Sequence, residues 1–335
     1  MRRLILLFPV LIFVFFSCSK KNRFKVDVSD VEVSVEIKRL DQDLFEIDVD
    51  SIHDEIPYLS EKYGRFYELY NHRVIHVGGS NSKAYPDNLK SFLTDYVINN
   101  VHKKVQEKYP DLDRLEEELT MAFKHYKYYF PEKIIPAVYT YIGGFNQSIV
   151  IDDSTLAIGL DKYLGSDCEF YDRLGWSDYL QKDMTRDMIA SDCMRSWAQT
   201  EWPFNDSIDN VMSNMLYKGK LLYFVKRMMP EAHDTIITGF SSQELDWCRN
   251  NEEQMWTRIV EKKLLFSSDY MTINKLVNPS PYTSEFTRQS PGQATVWLGL
   301  KIVDEYMKRG KEQSLEKLME MDDYRKILRE SHYKP

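Results

Sequence analysis

The sequence contains few residue patterns that could carry out chemistry by themselves, and the most suggestive is a pair of histidines. His72 and His76 are four residues apart, a spacing at which two imidazoles on one helix could bind a zinc ion. Arg73, however, stands where the HExxH pattern has its catalytic glutamate, and a Gly-Gly pair soon after His76 indicates that any helix has ended there. We therefore predict that these histidines are core or surface residues, and that the protein has neither a metal site nor a cofactor.

Three aspartates, Asp152, Asp153 and Asp161, bracket two short apolar runs in the middle of the chain. Two carboxylates at such a position could act as a general acid and a general base. Aspartate also accepts hydrogen bonds from backbone amides in turns, and we favour that interpretation here. The chain has no GxSxG, P-loop or GxGxxG motif, so we predict no catalytic residue. A hydrolase that uses carboxylates such as Asp153 and Asp161 stays open as the alternative.

The cysteine at position 18 is the residue for which the sequence predicts a definite chemical role. Two arginines precede an apolar run over residues 4–16, which is shorter than the roughly 20 residues that a membrane-spanning helix needs. The run ends at Ser17-Cys18, and a small residue before a cysteine at this point resembles a bacterial lipobox. We predict that residues 1–17 are a lipoprotein signal peptide. Cys18 would then carry acyl chains such as palmitate, which hold the protein on a membrane.

The overall composition narrows the class of partner. The chain has 335 residues and a net charge of −8, with 43% hydrophobic and 29% charged residues, which is typical of a globular protein. An acidic chain does not favour nucleic acid as a partner, because nucleic-acid-binding proteins usually present a basic surface. Cys168, Cys193 and Cys248 are far apart and form no CxxC pattern. At most one disulfide could form among them, between two residues that the sequence does not identify.

The elements that must position these residues are mostly helices. Residues 31–37 alternate strictly between apolar and polar side chains, which predicts a half-buried strand. Residues 137–142 are rich in tyrosine and β-branched side chains, and two short apolar runs follow at residues 148–151 and 156–160; together they predict a small sheet with hairpin-type connections. Apolar residues at spacings of three and four predict helices at residues 51–70, 88–109, 111–128, 182–202, 207–229, 241–265 and 291–307, with two short ones at the end.

The fold class that these elements predict is α+β, mostly helical, with a small sheet near residues 136–161 packed by helices. Ser241 is predicted to open its helix as the N-cap, because Glu244 follows three residues later as in a capping box. The segment 267–290 is polar, contains prolines and is predicted to be irregular. No internal repeat or long linker interrupts the chain.

Several segments of the chain together resemble one protein family. They are the stretches YIGGFN at 141–146, IVIDD at 149–153, LAIGLDKYLG at 156–165 and SHYKP at 331–335, with matching residues between 291 and 307. The lipobox and the segment 39–45, which begins Arg-Leu-Asp, fit as well. On these residues the sequence resembles the gliding-motility lipoprotein GldB family, and the resemblance spans nearly the whole chain after the signal peptide.

The resemblance implies an envelope lipoprotein that supports gliding motility, or the associated secretion machinery, through contacts with its proteins and without enzymatic activity. A hydrolase of peptide or peptidoglycan stays as the alternative. We expect a lipidated N-terminus and tether over residues 18–30 and a single domain over residues 31–335. Ser19 is not the aspartate associated with retention at the inner membrane, so the expected location is the periplasmic face of the outer membrane.

The resemblance also implies a distant relationship to zincin-like metallopeptidases, in which a short sheet leads into a metal-binding helix. Here the helix predicted at residues 182–202 would take that place, and it contains no histidine. The expected frame is therefore a degenerate zincin-like one that has lost its metal. The family motifs contain six residues whose role the resemblance does not define, namely Gly143, Gly144, Asp153, Asp161, Gly165 and Gly292.

Overall fold

In the computed structural model, which describes residues 22–310 and 313–335, a small sheet separates two hydrophobic cores. The predicted signal peptide, residues 1–17, and the predicted lipid site Cys18 lie outside the described residues. The strands are β1 (Ile37–Arg39), β2 (Ala137–Tyr141), β3 (Ile149–Asp152) and β4 (Thr155–Gly159), in the spatial order β1-β2-β4-β3. The predicted mostly helical α+β fold with a small sheet is confirmed.

The sheet is mixed. β2 pairs in parallel with both β1 and β4, whereas β3 pairs antiparallel with β4 through the two-residue turn Asp153-Ser154. The three strands predicted between residues 137 and 160 are confirmed to within one residue at each end. One hairpin connection is also confirmed, between β3 and β4. β2 and β3 follow each other in sequence but are not neighbours, because β4 lies between them.

Alternate residues of the sheet point into the two cores, as the two-residue period of a strand requires. Val138, Leu156 and Ile158 face the larger core, and Tyr139 and Ala157 face the smaller one. All five residues of β4 are buried. A strand covered on both faces reads as a continuous apolar run, which is why the sequence of β4 shows no alternation.

The helices pack on both faces of the sheet. In chain order they are α1 (Leu40–Glu46), α2 (Ile52–Tyr63), α3 (Arg65–Leu69), α4 (Tyr85–Leu93), α5 (Tyr96–Lys108), α6 (Asp113–Tyr129), α7 (Glu169–Arg173), α8 (Asp178–Gln181), α9 (Ile189–Glu201), α10 (Val211–Met228), α11 (Asp234–Thr238), α12 (Ser242–Asn250), α13 (Glu252–Glu261), α14 (Tyr270–Val277), α15 (Ala294–Arg309), α16 (Leu315–Glu320) and α17 (Tyr324–Ser331). A π-helix at Tyr70–Val74 and a 3₁₀-helix at Leu160–Tyr163 also contribute to the sites described below.

The larger core is organised around the crossing of α10 and α15. The two helices approach so closely that a Cβ built on Gly219 of α10 would overlap the backbone of Gly299 of α15. Fourteen of the 18 residues of α10 are buried. The crossing therefore depends on a glycine from each helix, since any side chain there would push the two backbones apart.

Several predicted helices are divided in the structure. The helix predicted at 51–70 breaks at Gly64, whose φ is +52°, and the helix predicted at 88–109 restarts at Asp95, which accepts hydrogen bonds from two amides of α5. Ser241 and Glu244 form the predicted capping box, but the helix they open ends at Asn250 and α13 continues the segment. α9 begins at residue 189 and not at 182, and the segment predicted to be irregular contains α14.

The strand predicted at residues 31–37 is mostly wrong, because only Ile37 belongs to β1. The alternation of buried and exposed residues is present, but the backbone follows α6 and not a neighbouring strand. The amide of Val35 donates to Thr120 Oγ1 (3.0 Å) and the amide of Ile37 donates to Glu116 Oε1 (2.7 Å). An extended segment along a helix buries every second side chain just as an edge strand does, so the sequence pattern could not separate the two.

The first described residues lie against the body of the protein. The Asn22 side chain donates to the carbonyl of Pro230 (2.8 Å), and the ring of Phe24 contacts that of Tyr223 edge-on, with 5.7 Å between centroids. Part of the segment predicted as a tether is therefore packed near the end of α10. Cys168, Cys193 and Cys248 are buried and free, so none of the disulfides that the sequence left open is formed.

Candidate functional site

The family-motif residues Gly143, Gly144 and Asp161 meet in one buried turn that follows β2. The carboxylate of Asp161, on the 3₁₀-helix after β4, accepts hydrogen bonds from the amides of Gly143 (3.1 Å) and Phe145 (2.6 Å) through Oδ2. Gly144 and Phe145 both have left-handed backbone conformations, with φ of +63° and +67°. Phe145 is not a glycine, so this conformation is costly, and the two bonds to Asp161 help to hold it.

Asp161 is fully buried, and its environment explains its ionisation. Burial raises its pKa to about 6, while the amides of Phe145 and Gly143 and the charge of Lys162 act in the opposite direction. Its second oxygen, Oδ1, has no hydrogen-bond partner among the described residues. Asp161 therefore holds the turn through two backbone amides, the interpretation that the sequence favoured for all three aspartates. It does not hold for Asp152 and Asp153, which accept no backbone hydrogen bond in the described structure and contact Arg65 instead.

The turn that Asp161 fixes is also attached to the π-helix at residues 70–74. Tyr70 donates its hydroxyl to the carbonyl of Ile142 (2.8 Å), and the side chain of Asn146 donates to the carbonyl of Val74 (2.7 Å). A Cβ on Gly143 would approach Val74 Cγ1 to 2.7 Å, so glycine is needed for this contact. The YIGGFN motif thus connects the end of β2 to the π-helix of the smaller core.

The carboxylates considered as an acid–base pair are not brought together. Asp153 lies at the tip of the β3–β4 hairpin with 86% of its side chain exposed, 3.5 Å from Arg65, which also pairs with Asp152 (2.6 Å). Asp161 lies beyond the opposite end of β4. Asp153 and Asp161 therefore do not form an acid–base pair in this structure.

The two histidines at metal-ligand spacing do not share a helical face. The π-helix ends at Val74 and His76 has a left-handed φ of +57°, with its Nδ1 2.9 Å from the carbonyl oxygen of His72. His72 Nε2 lies 3.7 Å from the carboxylate of Glu68. Within residues 22–310 and 313–335, no three His, Cys, Asp or Glu side chains are placed to hold a metal ion.

A different group of charged residues meets in a cleft of about 390 Å³ beside the N-terminal end of β3. We call it the charged cleft. Its walls come from the start of β3, the 3₁₀-helix after β4, α8, α9 and the loops before α12 and α15. Its charged lining residues are Lys162, Lys182, Asp183, Asp192 and Arg195.

Most of these charges are held by partners. Asp192 and Arg195, one turn apart on α9, form an ion pair, and the hydroxyl of Tyr163 donates to Asp192 Oδ2 (3.0 Å). Lys182 Nζ lies 2.7 Å from a carboxylate oxygen of Glu244, the same residue that closes the capping box of α12. The walls of the cleft therefore carry charges in fixed positions.

Two charged groups in the charged cleft are not committed to an ion pair. Lys162 Nζ lies 3.7 Å from the ring centroid of Trp176 and 3.5 Å from the carbonyl oxygen of Phe145, and burial lowers its pKa. The carboxylate of Asp183 forms no hydrogen bond and no ion pair with the rest of the described chain. Burial raises the pKa of Asp183 to about 6, with Asp192 and Glu244 acting in the same direction and Lys182 and Arg195 opposing them.

Gly292, another family-motif residue, shapes one wall of the charged cleft. A Cβ there would overlap the carbonyl oxygen of Ser280, which also lines the cleft. The buried hydroxyl of Thr283 holds the same loop, donating to the carbonyl of Pro291 (2.8 Å) and accepting from the amide of Ala294 (2.9 Å) at the start of α15. The remaining motif glycine, Gly165, has a left-handed φ of +117° and lies outside the cleft lining.

Sequence reasoning missed the charged cleft because its residues come from separate segments with no shared motif. Asp183 and Asp192 lie within the helix predicted at residues 182–202, for which the sequence indicates only a lack of histidine. One local signal existed, the spacing of three residues between Asp192 and Arg195, which places them on the same face of a helix. Chemically, the cleft offers the ammonium group of Lys162, the carboxylate of Asp183, whose pKa burial raises to about 6, and walls whose other charges form ion pairs.

Comparison with known proteins identifies the family. The family model described as gliding motility protein GldB matches residues 21–335, nearly the whole chain, and the chain therefore belongs to this family of gliding-motility lipoproteins. No curated protein and no solved structure gives a significant match. None of the helices in the described part of the chain is both long enough and apolar enough to cross a membrane.

Proposed function

We propose that this protein is a lipid-anchored envelope protein whose charged cleft binds another protein of the gliding-motility machinery or its associated secretion system, without catalysing a reaction. Family membership supports the association with motility. The observation that carries the proposal is the cleft itself, where Asp192 is held by Arg195 and Lys182 by Glu244. Charges fixed in this way favour recognition of one partner over others, because a mismatched charge placed against them is costly.

A photo-crosslinking experiment in the cell of origin tests binding at the cleft. Leu180 lines the cleft and is 38% exposed, so a photoreactive phenylalanine analogue at this position would face the bound partner. Ile134 is 51% exposed, lies outside the cleft and provides the matched control. We expect position 180, and not 134, to capture an envelope protein of the motility or secretion machinery. Equal capture at both positions would contradict the proposal.

The proposed anchor is Cys18. We expect Cys18→Ala to release the protein from the membrane fraction, while Cys18 in the native protein carries acyl chains detectable by intact-mass measurement. Protection from protease in intact cells, lost when the outer membrane is permeabilised, would support the periplasmic face of that membrane. A Cys18→Ala protein that stays membrane-bound would contradict lipid anchoring.

A second candidate function is hydrolysis of peptide or peptidoglycan by carboxylates of the charged cleft. The observation in its favour is the unpartnered carboxylate of Asp183, with a pKa of about 6, in the same cleft as Asp192. A pKa near the working pH suits a general acid or base. α9 packs against β3 and β4 and carries Asp192 and Arg195 but no histidine.

Incubation of the purified protein with peptidoglycan and with peptides separates the two candidates. Under the binding proposal no product forms at any pH. If the native protein forms a product and Asp183→Asn does not, the binding proposal is wrong and hydrolysis is the function of the cleft. Asp183→Asn replaces one carboxylate oxygen by an NH2 group. It breaks no hydrogen bond, because the Asp183 carboxylate has no partner in the described structure.

A further inference from the structure

The outer edge of β3 carries backbone groups that no other part of the described chain satisfies. β3 is the last strand of the sheet and pairs only with β4. The amide of Gly159 donates to the carbonyl of Ser148 (2.8 Å), so Ser148 and Gly159 face each other as a hydrogen-bonded pair. In an antiparallel ladder such pairs alternate, and Val150 and Asp152 therefore also point their backbone groups at β4.

The same alternation turns the backbone of Ile149 and Ile151 away from β4. Their amide and carbonyl groups have no hydrogen-bond partner elsewhere in the described structure, while their side chains pack against the larger core. Buried backbone groups without partners are rare, so this edge faces water. Two residues that present an amide and a carbonyl at alternate positions form a template for one more strand.

This edge leads into the charged cleft. Ser148, immediately before β3, is part of the cleft lining, together with Lys162. The ammonium group of Lys162 lies near the carbonyl of Phe145, three residues before Ser148, so it sits at the N-terminal end of the strand. Asp183 lines the same cleft beside Gly239, where an added Cβ would come within 3.1 Å of its carboxylate.

We infer that the charged cleft and the edge of β3 bind an extended peptide segment, which adds to β3 as an antiparallel strand and places its terminal carboxylate against Lys162. An antiparallel segment has its carboxyl end opposite the N-terminal end of β3, which is where Lys162 is. This inference rests on the proposed function, because it names the chemical form of the protein partner that the cleft recognises.

The first test uses two synthetic hexapeptide libraries attached through their N-termini, one with free C-terminal carboxylates and one with C-terminal amides. We expect the native protein to bind members of the free-acid library and to bind their amidated counterparts about tenfold more weakly, since one charge-assisted hydrogen bond is lost. Lys162→Met should weaken binding of the free acids about tenfold and remove the difference between acid and amide.

The second test addresses strand addition with a matched pair of variants. Ile151→Pro removes the outward amide without touching the ladder to β4, and proline is tolerated at such an edge position. Ile151→Ala removes more side-chain surface but keeps the amide. We expect Ile151→Pro to weaken binding of the selected peptides about tenfold and Ile151→Ala less than about threefold. Circular dichroism and thermal melts verify that both variants fold.

Three outcomes would overturn the inference: no peptide bound from either library, equal binding of acids and amides, or equal losses in Ile151→Pro and Ile151→Ala. These outcomes are distinguishable from failure of the proposed function. If position 180 captures a machinery protein in cells while neither library binds, the cleft is a protein-binding site that does not use strand addition.

Discussion

Two carboxylates of this protein, Asp161 and Asp183, have similar pKa values but different surroundings: the first is hydrogen-bonded and enclosed, and the second lines a cleft without a partner in the described structure. Burial raises the pKa of each to about 6. Asp161 is closed off from solvent and accepts two backbone hydrogen bonds that hold the turn after β2. Asp183 has no partner in the described structure and lines a cleft. A raised pKa therefore does not by itself identify a functional group, and the partners of the carboxylate decide which role it has.

The largest loss of stability should come from removing the carboxylate of Asp161, which has hydrogen-bond partners. Asp161→Ala leaves the amides of Gly143 and Phe145 buried without an acceptor, and we expect a loss of about 3 kcal/mol in the free energy of unfolding. Asp161→Asn retains an oxygen that accepts both bonds and should lose less than half as much. Urea denaturation measures both. Equal losses would mean that the turn does not depend on these two bonds.

A smaller loss of stability is expected at Gly292, a motif residue that shapes the charged cleft and not the turn after β2. Gly292→Ala forces a methyl group against the carbonyl of Ser280 and should cost about 2 kcal/mol by thermal or urea unfolding. Capture of a partner through position 180 should also fall. Gly175→Ala is the control, because its φ is positive but its surroundings are open. It should cost about 1 kcal/mol and leave capture unchanged.

The comparison also predicts how the stability of the folded protein depends on pH through Asp183. Because the pKa of Asp183 is higher in the folded protein than its ordinary value of 3.8, the folded state binds this proton more tightly. The Asp183 contribution to stability therefore falls as the pH rises from about 4 to about 6 and is level above that range.

Asp183→Asn removes this contribution. Its stability relative to the native protein should rise by about 1 kcal/mol between pH 4 and pH 7, a value reduced for partial exposure to solvent. Glu169→Gln is a control of opposite sign, since the hydrogen bond and charge of Lys104 lower the pKa of Glu169. A flat difference for Asp183→Asn across this range would show that its carboxylate is not desolvated.

The smallest effect is expected at the exposed motif aspartate. Asp153 interacts with Arg65 at the surface of the hairpin, and such pairs contribute little. Asp153→Ala should change the free energy of unfolding by less than about 0.5 kcal/mol. If the loss approached that of Asp161→Ala, Asp153 would have a role that its exposure does not explain.

The strands and the ends of some helices could be predicted because their signals are local. β2 follows from a run of tyrosine and β-branched residues, β3 and β4 follow from short apolar runs bounded by turn residues, and the Ser241 capping box follows from two residues three apart. The strand over residues 31–37 could not be predicted correctly. Its alternating burial arises from packing along α6, and a one-dimensional pattern does not record which element covers a face.

The sequence by itself determined the acidic globular composition, the predicted lipid site at Cys18, the resemblance to the family and the mostly helical α+β class. Only the tertiary structure decided which aspartate accepts backbone hydrogen bonds, which one lines a cleft and which one is exposed. Asp153 and Asp161 are eight residues apart but lie at opposite ends of β4, whereas Lys162 and Asp183 line one cleft. The physical reason is that burial, pairing and desolvation depend on contacts between distant segments. A polar residue in sequence looks the same whether it fixes a turn, lines a cleft or faces water.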